Sequence, residues 1–264
     1  MTYASGRMIA NTEGAIGWMI FNQPEKRNAI SVDMWEAMPQ ILGAFAADPA
    51  VRVIVLTGAG EQAFISGADI SQFGEKRGTR ETVLEYNATA DRAAEALSRV
   101  GKPTIAMIRG FCIGGGVGVA TSCDLRIAAD DAKFGVPAAK LGLGYRYVGV
   151  KRLVDLVGPS FAKEIFFTGR QFTTAEALAM GLVNRGVPVG ELEATVREMA
   201  KAIADNAPLT ISSIKLSVGE AMKPESERDL DSVQAAVDAC FESQDYVEGR
   251  TAFMEKRKPV FRGR

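Results

Sequence analysis

Four glycines crowd into five positions, Gly114, Gly115, Gly116 and Gly118, inside the run IRGFCIGGGVGVATSCD (108–124). So much glycine does not sit inside a stable strand or helix, because glycine loses more backbone freedom on folding than any other residue. Flanked by apolar runs, it reads as a turn from a strand into a short buried helix. There it lets a ligand approach the backbone, while the first turn of the helix offers unpaired N–H groups at its positive dipole end. Such a turn suits an oxygen that gains negative charge. The competing reading is a helix start packed closely for its own sake.

Phosphate turns have a similar composition but a different spacing. A dinucleotide site needs Gly-x-Gly-x-x-Gly; counted from Gly114 the last position is Val119, and counted from Gly116 it is Thr121. No Gly-Lys-Ser/Thr follows, which excludes a P-loop.

A second loop, AFISGADIS (63–71), follows the β-branched run VRVIVLT (51–57). Gly67 allows a backbone angle that turns the Ala68 N–H inward, and Asp69 is placed to cap a following helix. Taken alone, this is equally an ordinary strand-to-helix loop. One N–H from each loop, aimed at a single oxygen, would make an oxyanion hole.

Around these loops the pattern is α/β. GAIGWMIF (14–21), VRVIVLT (51–57), TIAMI (104–108) and 125–128 read as strands. Residues 31–47 have a helical apolar face with Ser31 as N-cap and Pro39 as a candidate kink, and 81–100 form an amphipathic helix stopped by Gly101 and Pro103. Later helices are expected at 160–168, 174–180, 191–206, 208–222 and 225–245. The organisation expected is a core over 1–200 and a helical piece over 201–264.

The chain has no histidine, which removes Ser–His, Cys–His and His–metal chemistry together. Its three cysteines, Cys112, Cys123 and Cys240, lack metal-ligand spacing and read as small core residues in a reducing compartment. A net charge of −1 recruits neither nucleic acid nor acidic membrane. No apolar run reaches the roughly 18 residues of a membrane span and no signal peptide is visible, so a cytoplasmic location is expected. The basic cluster at Lys256, Arg257, Lys258, Arg262 and Arg264 is either a solvated face or a phosphate contact.

FISGADI paired with RGFCIGGG, then SCDLRIAADDAKFGVP, resembles the crotonase (enoyl-CoA hydratase/isomerase) superfamily. QPEKRNAIS, FFTGRQFTTAEALAMGLVNR and EGRTAFMEKRKPVF extend the resemblance over nearly the whole chain. It implies a spiral of ββα units with a C-terminal helical subdomain, assembled as a homotrimer or dimer of trimers. It implies an acyl-CoA thioester as substrate, with no cofactor beyond coenzyme A as its carrier. The oxyanion donors fall on the backbone N–H groups of Ala68 and Gly115. Coenzyme A falls along Lys26, Arg27 and Ala29 and along Ala68, Asp69, Ile70 and Ser71, while Phe253 and Lys256 match positions that reach a neighbouring subunit's CoA.

The two glutamates that hydratases of this family use fall here on Gly118 and Ala138, so both carboxylates are absent. Each general acid or base is worth about 10²–10⁴ in rate, whereas an oxyanion hole does not depend on them. In KLGLGYRYVGVKRL (140–153), Lys140, Tyr145, Arg146 and Tyr147 are expected on a loop lining the acyl pocket. LGLGYRYVG and the tail are also similar to the methylmalonyl-CoA decarboxylase branch, in which a tyrosine at the Tyr145 position lies near the substrate carboxylate. That branch has a histidine where this chain has Ala68. Tyr145 and Arg146 are therefore candidate catalytic residues. Three activities stay open: a hydratase or isomerase, a malonyl- or methylmalonyl-type decarboxylase, and a catalytically weak protein that binds CoA esters.

Overall fold

Apolar runs read from the sequence become strands covered on both faces. The computed structural model describes residues 1–69 and 79–264. Along the chain come β1 (Thr2–Tyr3), β2 (Met8–Glu13), β3 (Ile16–Phe21), α1 (Val32–Ala47), β4 (Val53–Gly58), β5 (Ala63–Ile65) and α2 (Arg80–Arg99). Next are β6 (Thr104–Ile108), β7 (Phe111–Ile113), α3 (Gly115–Ser122), β8 (Leu125–Ala129), β9 (Lys133–Gly135) and α4 (Tyr147–Thr168). The remainder is β10 (Phe172–Thr173), α5 (Thr174–Ala179), β11 (Arg185–Val187), α6 (Leu192–Ala204), α7 (Pro208–Ala221), α8 (Leu230–Glu242) and α9 (Gln244–Met254).

Two sheets result. The larger has the order β1-β2-β3-β4-β6-β8-β11, parallel from β3 onward, and the smaller has the order β10-β9-β7-β5, with β5, β7 and β9 parallel. Each long strand in β4-β5-α2, β6-β7-α3 and β8-β9-α4 enters the first sheet, and each short one enters the second. A helix then carries the chain back, giving the ββα spiral that the family resemblance implies.

Burial follows the two-residue period of a strand. Val53, Val55, Ile105, Met107 and Ile127 form one core under Leu192, Val196 and Ala200 of α6. Ile54, Leu56, Ala106 and Ile108 point the other way, into the main core with Phe21, Phe64 and Phe134. From Pro208 onward, α7 packs mainly on α8, with α9 alongside.

Several local expectations change. Helix α1 runs through Pro39 without a break in its φ/ψ. Ser31 is its N-cap by position, yet its hydroxyl goes to the Asp33 carboxylate rather than to a helix N–H. Lys140 lies in a short 3-10 turn (Pro137–Leu141), and Tyr147 begins α4, so only Tyr145 and Arg146 keep the loop setting. Helix α4 reaches back past the expected start at 160 because Gly158, at φ 73°, kinks it without ending it. The expected 225–245 helix is instead a 3-10 turn, α8 and α9; the Ser243 hydroxyl caps α9 by accepting from the Tyr246 N–H at 3.1 Å.

Much of the basic tail is neutralised internally. Arg257 pairs with Glu248 and Glu255, and Lys258 with Asp205. The buried Asp245 carboxylate accepts from the Arg262 and Gly263 N–H groups, each at 2.7 Å, and straps the chain end to α9. Among the described residues no helix is long and apolar enough to cross a membrane.

Candidate functional site

The two glycine turns leave the same ends of neighbouring strands. β5 and β7 are parallel, with Ala63 opposite Phe111, so the chain exits both toward one side. After β5, Gly67 adopts φ 119°, a value that L side chains rarely accept. The Ile30 N–H donates to the Gly67 carbonyl at 2.8 Å, and the Ile30 carbonyl accepts from the Asp69 N–H at 2.9 Å. That pairing uses the groups on either side of Ala68 and turns Ala68's own N–H away from Ile30.

After β7, Gly114 at φ 54° and ψ −109° swings the chain into α3, whose first residue is Gly115. No side chain caps this helix start. The N–H groups of Ala68 and Gly115 donate to no protein acceptor among the described residues. The turns touch: a methyl added to Gly114 would lie 3.9 Å from the Gly67 Cα, and one on Gly115 would lie 4.0 Å from the Gly67 carbonyl carbon. A methyl on Gly116 would overlap the Ile65 carbonyl oxygen. Glycine at 116 thus lets α3 begin directly against the end of β5.

Beside this pair lies the segment expected to bind CoA. The Lys26 ammonium meets the Asp69 carboxylate at 2.9 Å; Asp69 is buried and Lys26 is half exposed. Arg27 is exposed and stacks over the Phe111 ring, 5.2 Å from its centroid, whereas Ala29 is buried. Ile70 and Ser71 lie outside the described residues. Phe253 and Lys256 sit on the C-terminal helical layer, Phe253 strongly exposed, and no hydrogen bond or ion pair among the described residues ties either one to Lys26, Arg27, Ala29 or Ala68.

Asn28 was not singled out from the sequence. It is fully buried at φ 55°; its Oδ1 accepts from the Gln23 N–H at 3.0 Å, and its Nδ2 donates to the Ala59 and Ala63 carbonyls at 2.9 and 2.8 Å. It thereby stitches the Lys26–Ala29 turn to the β4–β5 loop. A signal was present, since asparagine tolerates the left-handed region and bonds nearby backbone.

Gly118 is one helical turn into α3, and a methyl there would meet nothing within 4 Å. Ala138 is buried and borders a cavity of about 420 Å³ lined by Leu143, Tyr145, Val154, Ala162 and Phe166. The Tyr145 ring packs on Phe166 with centroids 4.8 Å apart. Burial raises its hydroxyl above the usual phenol value, partly offset by the nearby Arg152 cation, so it holds its proton at neutral pH.

Arg146 is directed elsewhere. Both of its terminal nitrogens bond the Asp91 carboxylate of α2, at the surface. Arg152, also not singled out from the sequence, faces inward: its Nη1 donates to the Ser122 hydroxyl at 2.7 Å, and Ser122 donates to the Gly118 carbonyl at 2.8 Å. Burial lowers the Arg152 guanidinium from its ordinary value, with Tyr145 and Cys123 as the titratable groups nearby. Asp124 is structural, accepting from the Thr104 N–H and hydroxyl and from Lys215.

A ββα spiral carrying two backbone turns at adjacent strand ends defines an enzyme of the crotonase fold class. A family model described as Enoyl-CoA hydratase/isomerase matches residues 11–264. The short-chain-enoyl-CoA hydratase of Clostridium acetobutylicum is 36% identical over 251 residues, 95% of either chain. The carnitinyl-CoA dehydratase of Proteus mirabilis is 33% identical over 96% of this chain and 97% of its own. Among solved structures, an enoyl-CoA hydratase/carnithine racemase from Magnetospirillum magneticum has a TM-score of 0.93 at 34% identity, covering 99% of this chain and 97% of that one. The chain belongs to the enoyl-CoA hydratase/isomerase family.

Proposed function

We propose that the protein holds the carbonyl oxygen of an acyl-CoA thioester between the Ala68 and Gly115 N–H groups and stabilises the enolate formed there. The observation that carries this reading is the pair of unbonded N–H groups on touching turns. Fixed donors of this kind cost no reorganisation as charge develops, and each is worth about 2.7–4 kcal/mol of barrier. Coenzyme A would run along Lys26, Arg27, Ala29 and the Ala68–Ser71 segment. Phe253 and Lys256 would reach the CoA of a neighbouring copy in a trimer or dimer of trimers. The chemistry asks for no cofactor beyond coenzyme A as carrier.

Relatives named as hydratases and dehydratases make water addition or removal at an enoyl thioester the first reaction to test. Gly118 and Ala138 supply no carboxylate for it. With crotonyl-CoA, hydration is expected at least about 100-fold below an ordinary kcat of about 10 s⁻¹. A rate near 10 s⁻¹ would show that the two missing carboxylates are dispensable.

The same missing carboxylates favour decarboxylation as a second reading. In that step the bond from the α-carbon to the carboxylate breaks and CO₂ leaves with no base required. The electron pair stays as the thioester enolate, and a proton from water then closes the α-carbon. Release of CO₂ from methylmalonyl-CoA tests it directly. Stabilisation of the protein against heat by CoA esters without turnover of either substrate would leave a binding protein.

A further inference from the structure

Residues 27 and 28 hold a backbone conformation that side chains disfavour. Arg27 is at φ 51° and Asn28 at φ 55°, two left-handed residues in succession and neither of them glycine. Such a conformation persists only where the surroundings over-determine it, and asparagine is one of the few residues that visit it readily. Here the surroundings act through Asn28. Its backbone N–H donates to the Gln23 carbonyl at 2.9 Å, its side-chain oxygen accepts from the Gln23 N–H, and its side-chain nitrogen donates to the Ala59 and Ala63 carbonyls.

The turn fixed in this way is laced to the loop that carries Ala68. The Arg27 carbonyl accepts from the Ser66 N–H at 3.1 Å, and the Lys26 carbonyl accepts from the Ser66 hydroxyl at 3.3 Å. Ile30 then bonds the groups on both sides of Ala68, donating to the Gly67 carbonyl and accepting from the Asp69 N–H. Asn28 stands between these two sets of bonds. Moving it out of the left-handed region would rotate the Arg27 and Ile30 peptides relative to each other, and the Ala68 N–H would turn with them. Direction matters, because a hydrogen bond weakens steeply once its angle falls below about 120°.

The geometry points to Asn28 as a positioning residue: it holds the turn at 26–30 in shape, and through Arg27 and Ile30 that turn aims the Ala68 N–H at the thioester oxygen. This rests on the thioester reading above and adds to it a side chain that is fully buried and touches no substrate.

The test uses butyryl-CoA, which has neither an enoyl bond to hydrate nor a carboxylate to lose. Donors on its thioester oxygen polarise the carbonyl and lower its infrared stretch. Asn28→Gly accepts the same φ without strain and removes only the side-chain bonds to Gln23, Ala59 and Ala63. With the full chain saturated by butyryl-CoA, the parent should show a lowered stretch and Asn28→Gly should lose about half of that lowering, since one of two donors is misdirected. The kcat for whichever of crotonyl-CoA and methylmalonyl-CoA the parent turns over should fall by about 10², the effect of removing one oxyanion donor. Val196→Ala, in the separate core under α6, is the destabilised control and should keep the whole lowering. Ser66→Ala removes the hydroxyl bond to the Lys26 carbonyl, should lose a smaller share, and serves if Asn28→Gly does not fold.

An unchanged stretch in Asn28→Gly, or in Ser66→Ala where the first does not fold, would overturn the assignment and leave the thioester site standing. So would an equal loss in Val196→Ala. Weaker binding of butyryl-CoA with the stretch intact at saturation would mean that Asn28 shapes only the CoA turn, and overturns the assignment likewise. A parent that binds butyryl-CoA without lowering its stretch would overturn the thioester reading itself.

Discussion

One half of the candidate site is made of backbone and the other of side chains, and they respond differently to substitution. The Ala68 and Gly115 N–H groups are aimed by strand register, by the Ile30 bridge and by a helix start pressed against Ile65. Those two N–H groups move only if the backbone around them moves. Across from it, Gly118 borders empty space and Ala138 is a small side chain beside a cavity. No packing depends on the residue at Gly118, so acid–base groups can be lost there while the donors stay in place. Under the proposed function, the backbone half would hold the thioester oxygen and the replaceable side chains would decide how the enolate reacts.

Two glycines two residues apart offer the sharpest contrast. Gly116→Ala should destabilise by about 2–3 kcal/mol through overlap with the Ile65 carbonyl, seen as a lower denaturant midpoint. Any protein that still folds should lose about 10²–10³ in turnover as the donors shift. Gly118→Ala should be neutral or stabilise by up to about 1 kcal/mol, the ordinary gain of alanine in a helix. Equal costs at the two positions would erase the distinction between the halves.

Supplying what the side-chain half lacks is the next test. The double variant Gly118→Glu, Ala138→Glu is expected to raise crotonyl-CoA hydration by about 10² or more over the parent. No gain would mean that the backbone half is not poised as proposed.

Two smaller effects probe the surroundings. Cys112 and Cys123 are buried while Cys240 is half-buried, so an aromatic disulfide reagent at pH 8 should label Cys240 first and the other two only on unfolding. Burial pushes the Cys123 thiol from 9.0 up to about 12. The folded chain then keeps a proton that the unfolded chain sheds, so this contribution to stability is full below about pH 9 and is lost as pH rises toward 12. Alkaline denaturation midpoints should fall across that window. Smallest is Arg146→Ala, which removes a half-exposed ion pair with Asp91 and should cost about 1 kcal/mol or less by thermal denaturation. A large loss of turnover there would return Arg146 to the chemistry.

Strands β3, β4, β6 and β8 of the first sheet and most helices could be read from the chain because their apolar runs are long enough to show, whereas the six-residue β2, with its half toward Glu13 exposed, could not. The second sheet could not be read. Its strands β5, β7 and β9 are three residues each, too short for alternation, and they exist only because neighbouring turns of the spiral pair them. The 225–245 helix broke at Ser243 because a hydroxyl that caps a new helix competes well with continuing the old one.

For the site, the sequence by itself determined the glycine turn at 114–118, the companion loop at Gly67–Ala68, and the absence of carboxylates at Gly118 and Ala138. Those are matters of residue type and local backbone freedom, which are written position by position. Tertiary structure alone decided that the two turns touch, that Arg146 faces Asp91, and that Arg152 reaches the Ser122 hydroxyl. Contact between residues far apart in the chain depends on which strands pair and which helix faces meet, and no local pattern carries that information.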